Sequence, residues 1–133
     1  MIHLALSALI AMSSFQNVAV LRVKDGDTFV VSLPEQPDVF GKEIGVRVKG
    51  IDTPEKTDKR KCGKKDAGKA KAALSALLEG GSVDLNHCER GKYFLVLCNV
   101  MVGGSRDAGQ FMLESKLANP YSGETKLKWL CLK

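Results

Sequence analysis

The stretch VRVKGIDTPE, Val46 to Glu55, combines residues that favour a β-strand with charged residues at its end. Its valines and isoleucine are β-branched and typical of strands. Arg47, Asp52 and Glu55 add a guanidinium and two carboxylates around a Thr-Pro pair. The segment is therefore either an ordinary charged strand end or half of a site that handles an anion with a metal ion.

Strand-like segments precede this stretch. Phe15–Lys24 and Thr28–Leu33 are rich in Val, Phe and Leu and are separated by Lys-Asp-Gly-Asp. An Asp-Gly pair between two such runs is a strong hairpin signal. Pro34–Lys42 predicts a turn, and Glu43–Gly50 predicts a third strand.

The second half of the chain predicts helices and two further strands. A basic loop at 56–66 is followed by apolar residues at helical spacing from Ala67 to Leu78, and Gly80-Gly81 predicts the end of that helix. The next segments are strands at 82–88 and 93–102, joined by Glu-Arg-Gly-Lys, and a helix at 106–114. We expect a mainly β protein with helices (α+β), namely a five-stranded OB-type barrel with about two helices packed on it.

Length and charge restrict the class of protein. A chain of 133 residues with 44% hydrophobic and 26% charged residues is long enough for one domain with its own core. The net charge is +5, and the segment Lys56–Lys71 carries eight Lys or Arg against two Asp, which gives +6. This concentration favours a polyanionic partner such as nucleic acid.

The first residues predict export. Leu4–Met12 is apolar, and the small residues Ala11 and Ser13 follow an A-x-S pattern, so residues 1–13 read as a signal peptide and residues 14–133 as a single domain. The alternative is a first apolar strand or a buried N-terminal arm. We expect a periplasmic or secreted protein, or otherwise a cytoplasmic one, without embedding in a membrane.

Four cysteines suggest two disulfides. An even count together with a possible export signal favours bridges, of which three pairings are possible, although buried free thiols remain an alternative. No C-x-x-C pair is present, which argues against a zinc site. The cysteines are Cys62, Cys88, Cys98 and Cys131.

Acidic residues of the first hairpin and the third strand could share a cation. Asp25 and Asp27 flank Gly26 in the hairpin turn, and Asp52 with the carbonyl of Thr53 follows the third strand. If the hairpin lies beside that strand, Asp27 and Asp52 converge into an all-oxygen site suited to Ca²⁺. The alternative is an ordinary Asp-Gly-Asp turn.

Glu55 and Arg47 could act beside such a cation. Glu55 could be a general base, or merely a solvated carboxylate, and the planar fork of Arg47 suits a phosphate. Strand alternation places Arg47 and Asp52 on opposite faces, unless Gly50 provides a bend. Lys92-Tyr93 at a hairpin tip could bind a phosphate and a base.

Three motifs together resemble the staphylococcal nuclease (thermonuclease) family. They are VKDGDTFVV, VRVKGIDTPE and GKYFLVLCNV, in the order and spacing of the family, and the resemblance covers roughly Phe15 to Gly123. The chain looks most similar to the exported bacterial branch, which carries a Cys soon after DTPE and a Trp-Cys near its end. Here these would be Cys62 and Cys131, although Trp-Leu-Cys departs from that pattern by one residue. The resemblance implies a Cys62–Cys131 bridge and leaves Cys88 and Cys98 as a cross-strand pair.

The resemblance also implies an activity. The family hydrolyses phosphodiester bonds of DNA and RNA with Ca²⁺ on an OB-type barrel, and we expect a monomer that acts on DNA, RNA or both. The implied roles are Ca²⁺ ligation, activation of the attacking water, phosphate binding and nucleotide contact. Asp27, Asp52 and the Thr53 carbonyl would bind Ca²⁺, and Glu55 would activate the water. Arg47 would bind the phosphate. The nucleotide would be contacted by Lys92, Tyr93 and Tyr121.

The chain departs from the family at two positions, and the family's long C-terminal helix is absent or much shortened, as in its exported relatives. Leu95 stands where the family has a second Arg, and Arg90 across the turn is the nearest substitute in sequence. Lys116 stands where the family has Gly at a helix end with positive φ. The first interpretation is therefore a Ca²⁺-dependent nuclease weakened by Leu95, and the second is a nuclease-derived module that binds nucleic acid or a protein without turnover. A purely structural OB-type domain is disfavoured by the concentrated positive charge.

Overall fold

The computed structural model describes residues 13–132, so the predicted signal peptide lies, apart from Ser13, outside the described residues. Within that range the helices are α1 (Asp38–Gly41), α2 (Lys61–Leu78) and α3 (Ala108–Glu114). The strands are β1 (Phe15–Asp25), β2 (Thr28–Ser32), β3 (Ile44–Val48), β4 (Ile51–Asp52), β5 (Ser82–Arg90), β6 (Val96–Val102), β7 (Arg106–Asp107) and β8 (Asn119–Pro120).

Five strands close into a barrel, as predicted. They follow the order β3-β2-β1-β5-β6, and β3 also pairs with β6 to complete the ring. The closing pair is parallel and aligns Arg47 with Leu97, whereas the other pairs of the ring are antiparallel. The short strands β4 and β8 form a separate ribbon that aligns Asp52 with Asn119.

The barrel interior is filled by alternate residues of its strands. Val46 and Val48 of β3 are buried, whereas Arg47 between them faces the outside and remains partly exposed. α2 adds Ala70, Leu74 and Leu78 to the core, each 0–1% exposed. Burying one large apolar side chain contributes roughly 1.5–3 kcal/mol, so this face of α2 holds the helix against the barrel.

α2 begins earlier than its apolar pattern predicts. The helix starts at Lys61 rather than Ala67, so the predicted basic loop is helical in its second half. The first turns point mostly to solvent, and lysine is a good helix former, so no apolar periodicity marks them. Gly63 in these turns is buried, and it has no room for a side chain, because a Cβ there would overlap the carboxylate of Asp58.

Both implied disulfides are present. Cys62 is bonded to Cys131 and Cys88 to Cys98, with Cα–Cα distances of 5.8 and 4.2 Å, so the free-thiol alternative is wrong. The β5–β6 register is irregular around His87, which has φ of 51°. This bulge brings Cys88 opposite Cys98.

The residues after β8, 121–132, form an irregular segment that we call the C-terminal strap. Besides the Cys62–Cys131 bond, it is fixed by Asp66, a buried residue of α2. One carboxylate oxygen of Asp66 accepts hydrogen bonds from the indole Nε1 of Trp129 and the amide of Leu132, both at 2.9 Å. The strap is therefore anchored to the first turns of α2 rather than forming a long helix.

Lys116 adopts the conformation expected of the glycine that the family has there. Its φ is +60°, and it follows the last turn of α3. The amide of Lys116 donates to the Leu113 carbonyl and the amide of Leu117 to the Met112 carbonyl, both at 3.0 Å, which is the Schellman pattern. No helix among residues 13–132 is long and apolar enough to cross a membrane.

Candidate functional site

A cleft opens where the β1–β2 turn, the β3–β4 junction, the β5–β6 turn and the strap meet. Its lining includes most of the residues that the sequence singles out. The lining residues are Lys24, Asp25, Asp27, Thr28, Arg47, Asp52, Thr53, Pro54, Glu55, Lys56, Thr57, Tyr93, Leu95 and Lys126.

Asp27 is the most buried carboxylate of the cleft, with 6% exposure. Its two oxygens accept hydrogen bonds from the Thr28 hydroxyl at 3.0 Å and the Thr53 amide at 3.3 Å. Burial and the neighbouring Asp25 raise the pKa of Asp27, and the charge of Arg47 only partly offsets this. A cation beside this buried carboxylate would therefore stabilise its ionised form.

Arg47 links the two predicted metal ligands. Its Nη2 atom lies 3.4 Å from Asp27 Oδ2 and 3.4 Å from Asp52 Oδ1, and it donates to the carbonyl of Ile51 at 3.3 Å. Simple alternation would separate Arg47 from Asp52, but the chain turns at Gly50, which has φ of +86°. Gly50 therefore provides the bend that the sequence permits, and this bend places the guanidinium and both carboxylates together.

Tyr121 covers the guanidinium of Arg47. The Arg47 Cζ atom lies 5.7 Å from the centre of the Tyr121 ring, within the range of a cation–π contact. The amide of Tyr121 donates to the carbonyl of Gly50 at 2.9 Å, so the β3–β4 bend also fixes this aromatic residue.

Glu55 lies at the mouth of the cleft, with a side chain 65% exposed. One carboxylate oxygen accepts a hydrogen bond from Thr57 at 3.4 Å, and the other lies 3.5 Å from the ammonium of Lys126. The same ammonium is 3.3 Å from Asp52 Oδ1. The sequence does not indicate Lys126 as a site residue, because a lysine in an irregular segment belongs to no motif and the path of the strap brings it here.

The β5–β6 turn presents two aromatic side chains to solvent. Tyr93 and Phe94 are 89% and 91% exposed and have φ of 56° and 61°, and the Leu95 amide donates to the Lys92 carbonyl at 3.1 Å. This is a type I′ turn, so β6 starts at Val96 rather than at the predicted Tyr93.

Only some of the predicted nucleotide-contacting residues line the cleft. Tyr93 does, whereas Lys92 lies at the turn outside the cleft and Tyr121 lies beside it on Arg47. Arg90 lines a neighbouring groove on the other side of the turn, so it does not occupy the place of the missing Arg. Leu95 packs instead against Gly45 of β3, where an added Cβ would overlap its side chain.

A family model, described as staphylococcal nuclease homologue, matches residues 45–128, more than half of the chain. The chain belongs to this family. No curated protein matches the chain. The family match covers most of the cleft, from Arg47 to Lys126, and the hairpin that carries Asp27 precedes it.

In this nuclease homologue the donor atoms near Asp27 suit a hard cation. Asp27 Oδ2 and Asp52 Oδ1 both lie 3.4 Å from one nitrogen of Arg47, so both carboxylates face the same guanidinium group. Carboxylate and carbonyl oxygens are the ligands that Ca²⁺ prefers. Among residues 13–132 no three His, Cys, Asp or Glu side chains form a metal-binding group. A cation on Asp27 and Asp52 would therefore complete its shell with backbone oxygen and water.

In this family member some basic side chains of the segment Lys56–Lys71 are exposed to solvent, whereas Arg60 makes structural hydrogen bonds. Lys59, Lys61, Lys64 and Lys65 are exposed and free to meet a polyanion. Arg60 instead donates to the Asp58 carboxylate at 2.8 Å and to the Trp129 carbonyl at 3.1 Å. Its hydrogen bonds with Asp58 lower the pKa of that carboxyl to about 2. Arg60 thus holds the strap.

Proposed function

We propose that the protein is a Ca²⁺-dependent nuclease that hydrolyses phosphodiester bonds of DNA, RNA or both, with activity weakened by Leu95. The observation that carries the proposal is the convergence of Arg47 on Asp27 and Asp52, with Glu55 at the mouth of the same cleft. Membership of the nuclease homologue family supports the same reaction class.

The proposed roles follow from position and chemistry. Asp27, Asp52 and the Thr53 carbonyl would hold Ca²⁺, which when bound supplies a Lewis acid for a phosphoryl oxygen. Arg47 would donate to a non-bridging phosphate oxygen and stabilise the charge that accumulates in the transition state. Glu55, which is exposed enough to meet solvent, would accept a proton from the water whose oxygen attacks phosphorus.

The rest of the reaction needs little from the protein. Attack by the water oxygen forms one P–O bond, the opposite P–O ester bond breaks, and the leaving oxygen takes a proton from solvent.

The substrate would be guided by charge and by stacking. The exposed lysines of the basic segment attract the backbone, an attraction that falls steeply as salt rises. Tyr93, Tyr121 and Lys92 would contact the nucleotide next to the scissile phosphate. We place the active protein, as a monomer, in an oxidising periplasmic or extracellular compartment, because both disulfides favour such a location.

Leu95 favours a second candidate, a nuclease-like module that binds nucleic acid or a protein without turnover. It lines the cleft at the predicted place of a second arginine but offers neither charge nor hydrogen-bond donor. Loss of one preorganised donor costs about 10²–10³ in rate, so turnover would be slow by comparison with a site that keeps it.

The test is cleavage of single-stranded and duplex DNA and of RNA with Ca²⁺ and with a chelator. We expect Ca²⁺-dependent cleavage that falls by at least about 10²-fold in Glu55→Gln, because the base is lost. Glu124→Gln is the matched control, since it removes one exposed carboxylate of the strap away from the cleft.

Two results separate the candidates. The nuclease is supported if Asp27→Asn loses Ca²⁺ binding and if Glu55→Gln loses cleavage while Glu124→Gln retains it. A native chain that binds oligonucleotide and Ca²⁺ but cleaves none of the substrates refutes it and supports the binding module.

A further inference from the structure

The ammonium of Lys126 lies inside the candidate site, although it comes from the strap rather than from the barrel. Its Nζ atom is 3.3 Å from Asp52 Oδ1 and 3.5 Å from Glu55 Oε1, and its side chain is 43% exposed. A lysine ammonium is a cation at neutral pH.

Lys126 and Arg47 form a pair of cations around one aromatic ring. Both lie 5.7 Å from the centre of Tyr121, and both contact the same oxygen of Asp52, at 3.3 and 3.4 Å. Because Arg47 Nη2 and Lys126 Nζ both contact Asp52 Oδ1, these two cationic nitrogens lie close to each other. One phosphodiester, whose two non-bridging oxygens point apart, can meet both cations at once.

The position of Lys126 is fixed by the strap. The chain just beyond it is attached through Trp129, whose indole donates to the buried Asp66 and whose carbonyl accepts from Arg60, and through the Cys62–Cys131 bond. Donors held in place by surrounding structure stabilise developing charge better than donors that must be ordered during the reaction.

We propose that Lys126 is the second phosphate-binding cation of the site and supplies, from the strap, the positive charge that Leu95 lacks. This proposal rests on the proposed nuclease function. When substrate enters, the ammonium exchanges its long contacts with Asp52 and Glu55 for a phosphate oxygen.

The experiment compares Lys126→Met, which keeps length but removes charge, with Lys126→Arg and with Lys128→Met. Lys128 is an exposed lysine of the same strap that does not line the cleft, so it controls for net charge and for folding of the strap. The measurements are single-turnover cleavage of single-stranded DNA, affinity in Ca²⁺ for a phosphorothioate oligonucleotide, and Ca²⁺ affinity by calorimetry.

For Lys126→Met we expect cleavage slower by about 10²-fold and weaker oligonucleotide binding, both largely restored in Lys126→Arg and nearly unchanged in Lys128→Met. We also expect tighter binding of Ca²⁺, because a positive charge beside Asp52 is removed. Opposite signs for the metal and the oligonucleotide distinguish a phosphate-binding residue from one that only stabilises the strap.

The proposal is overturned if Lys126→Met binds the oligonucleotide and cleaves DNA as well as, or better than, the native chain, since Lys126 would then be only a counter-ion that competes with the metal. If the native chain does not cleave, the nuclease function fails. Oligonucleotide affinity then still decides the role of Lys126, and equal affinity in all variants refutes it.

Discussion

Removal of the Cys62–Cys131 bond should destabilise the protein and weaken the site together. The bond joins positions 69 residues apart. A cross-link lowers the entropy of the unfolded chain by an amount that grows with the logarithm of the loop length, which for a loop of this size corresponds to about 4 kcal/mol at 25 °C. Cys62→Ala/Cys131→Ala should therefore lower the free energy of unfolding by up to about that amount.

The effect on the site follows from the strap. Once the bond is absent, the end of the strap is held by hydrogen bonds of Trp129 with Asp66 and Arg60 and of Leu132 with Asp66, each of which contributes roughly 0.5–3 kcal/mol. The strap then spends more time away from the barrel, and oligonucleotide affinity should fall with it. Cys88→Ala/Cys98→Ala is the comparison, because it removes a bond between positions only 10 residues apart and leaves the strap attached.

Urea unfolding and oligonucleotide binding in Ca²⁺ measure the two effects. Each single variant, Cys62→Ala or Cys131→Ala, should lose as much unfolding free energy as the double variant, since either change removes the same bond. The reasoning is refuted if the double variant unfolds within about 1 kcal/mol of the native chain, well below the loop estimate. It is refuted for the site if the comparison pair loses as much oligonucleotide affinity.

Further changes test the site and the fold separately. In the Lys126→Met background, which lacks the second cation, Leu95→Arg should raise the Ca²⁺-dependent cleavage rate by about 10²–10³, and an unchanged initial rate with Ca²⁺ still bound would contradict the placement of Leu95. Phe94→Ala should leave thermal stability unchanged, because the side chain is 91% exposed, but weaken single-stranded DNA binding by about 1–3 kcal/mol in fluorescence anisotropy. Burial raises the pKa of Asp66, but its two hydrogen bonds and the nearby lysines outweigh burial, so the pKa in the folded protein is lower than usual. The stabilisation of the folded state by ionised Asp66 is therefore complete above about pH 4 and is lost as pH falls through the depressed folded pKa. Acid unfolding curves should show this loss, and Asp66→Asn should reduce it. Lys116→Gly should raise the free energy of unfolding by about 0.5–1 kcal/mol in urea, since a lysine with φ of +60° is strained, and a decrease would contradict that view.

The barrel could be predicted because its signals are local. The Asp-Gly turn between two apolar runs specifies the first hairpin, and the alternation around Arg47 specifies β3. The sequence does not predict the start of α2, because the first turns of this helix face solvent and therefore lack an apolar period. A strand or helix is predictable from sequence where one of its faces is buried.

The site could be predicted only in part. The carboxylates and Arg47 belong to recognisable motifs, but their convergence depends on the backbone bend at Gly50, which the residue type permits without requiring. Lys126 was not predictable, because its contacts arise from the path of the strap and that path depends on a bond between distant cysteines. Long-range constraints of this kind leave no periodic signal in the sequence.

The turn at Tyr93 and Phe94 has a consequence for how the chain could change over time. A type I′ turn is most stable with Asn-Gly at its two central positions, and bulky residues with positive φ cost of order 1–3 kcal/mol each. Selection for stability alone would replace both aromatic residues at one hairpin tip. A lineage that drifts to Asn-Gly there would gain a sturdier barrel, and comparing its nucleic-acid affinity with that of this chain would show whether recognition has kept the costly pair in place.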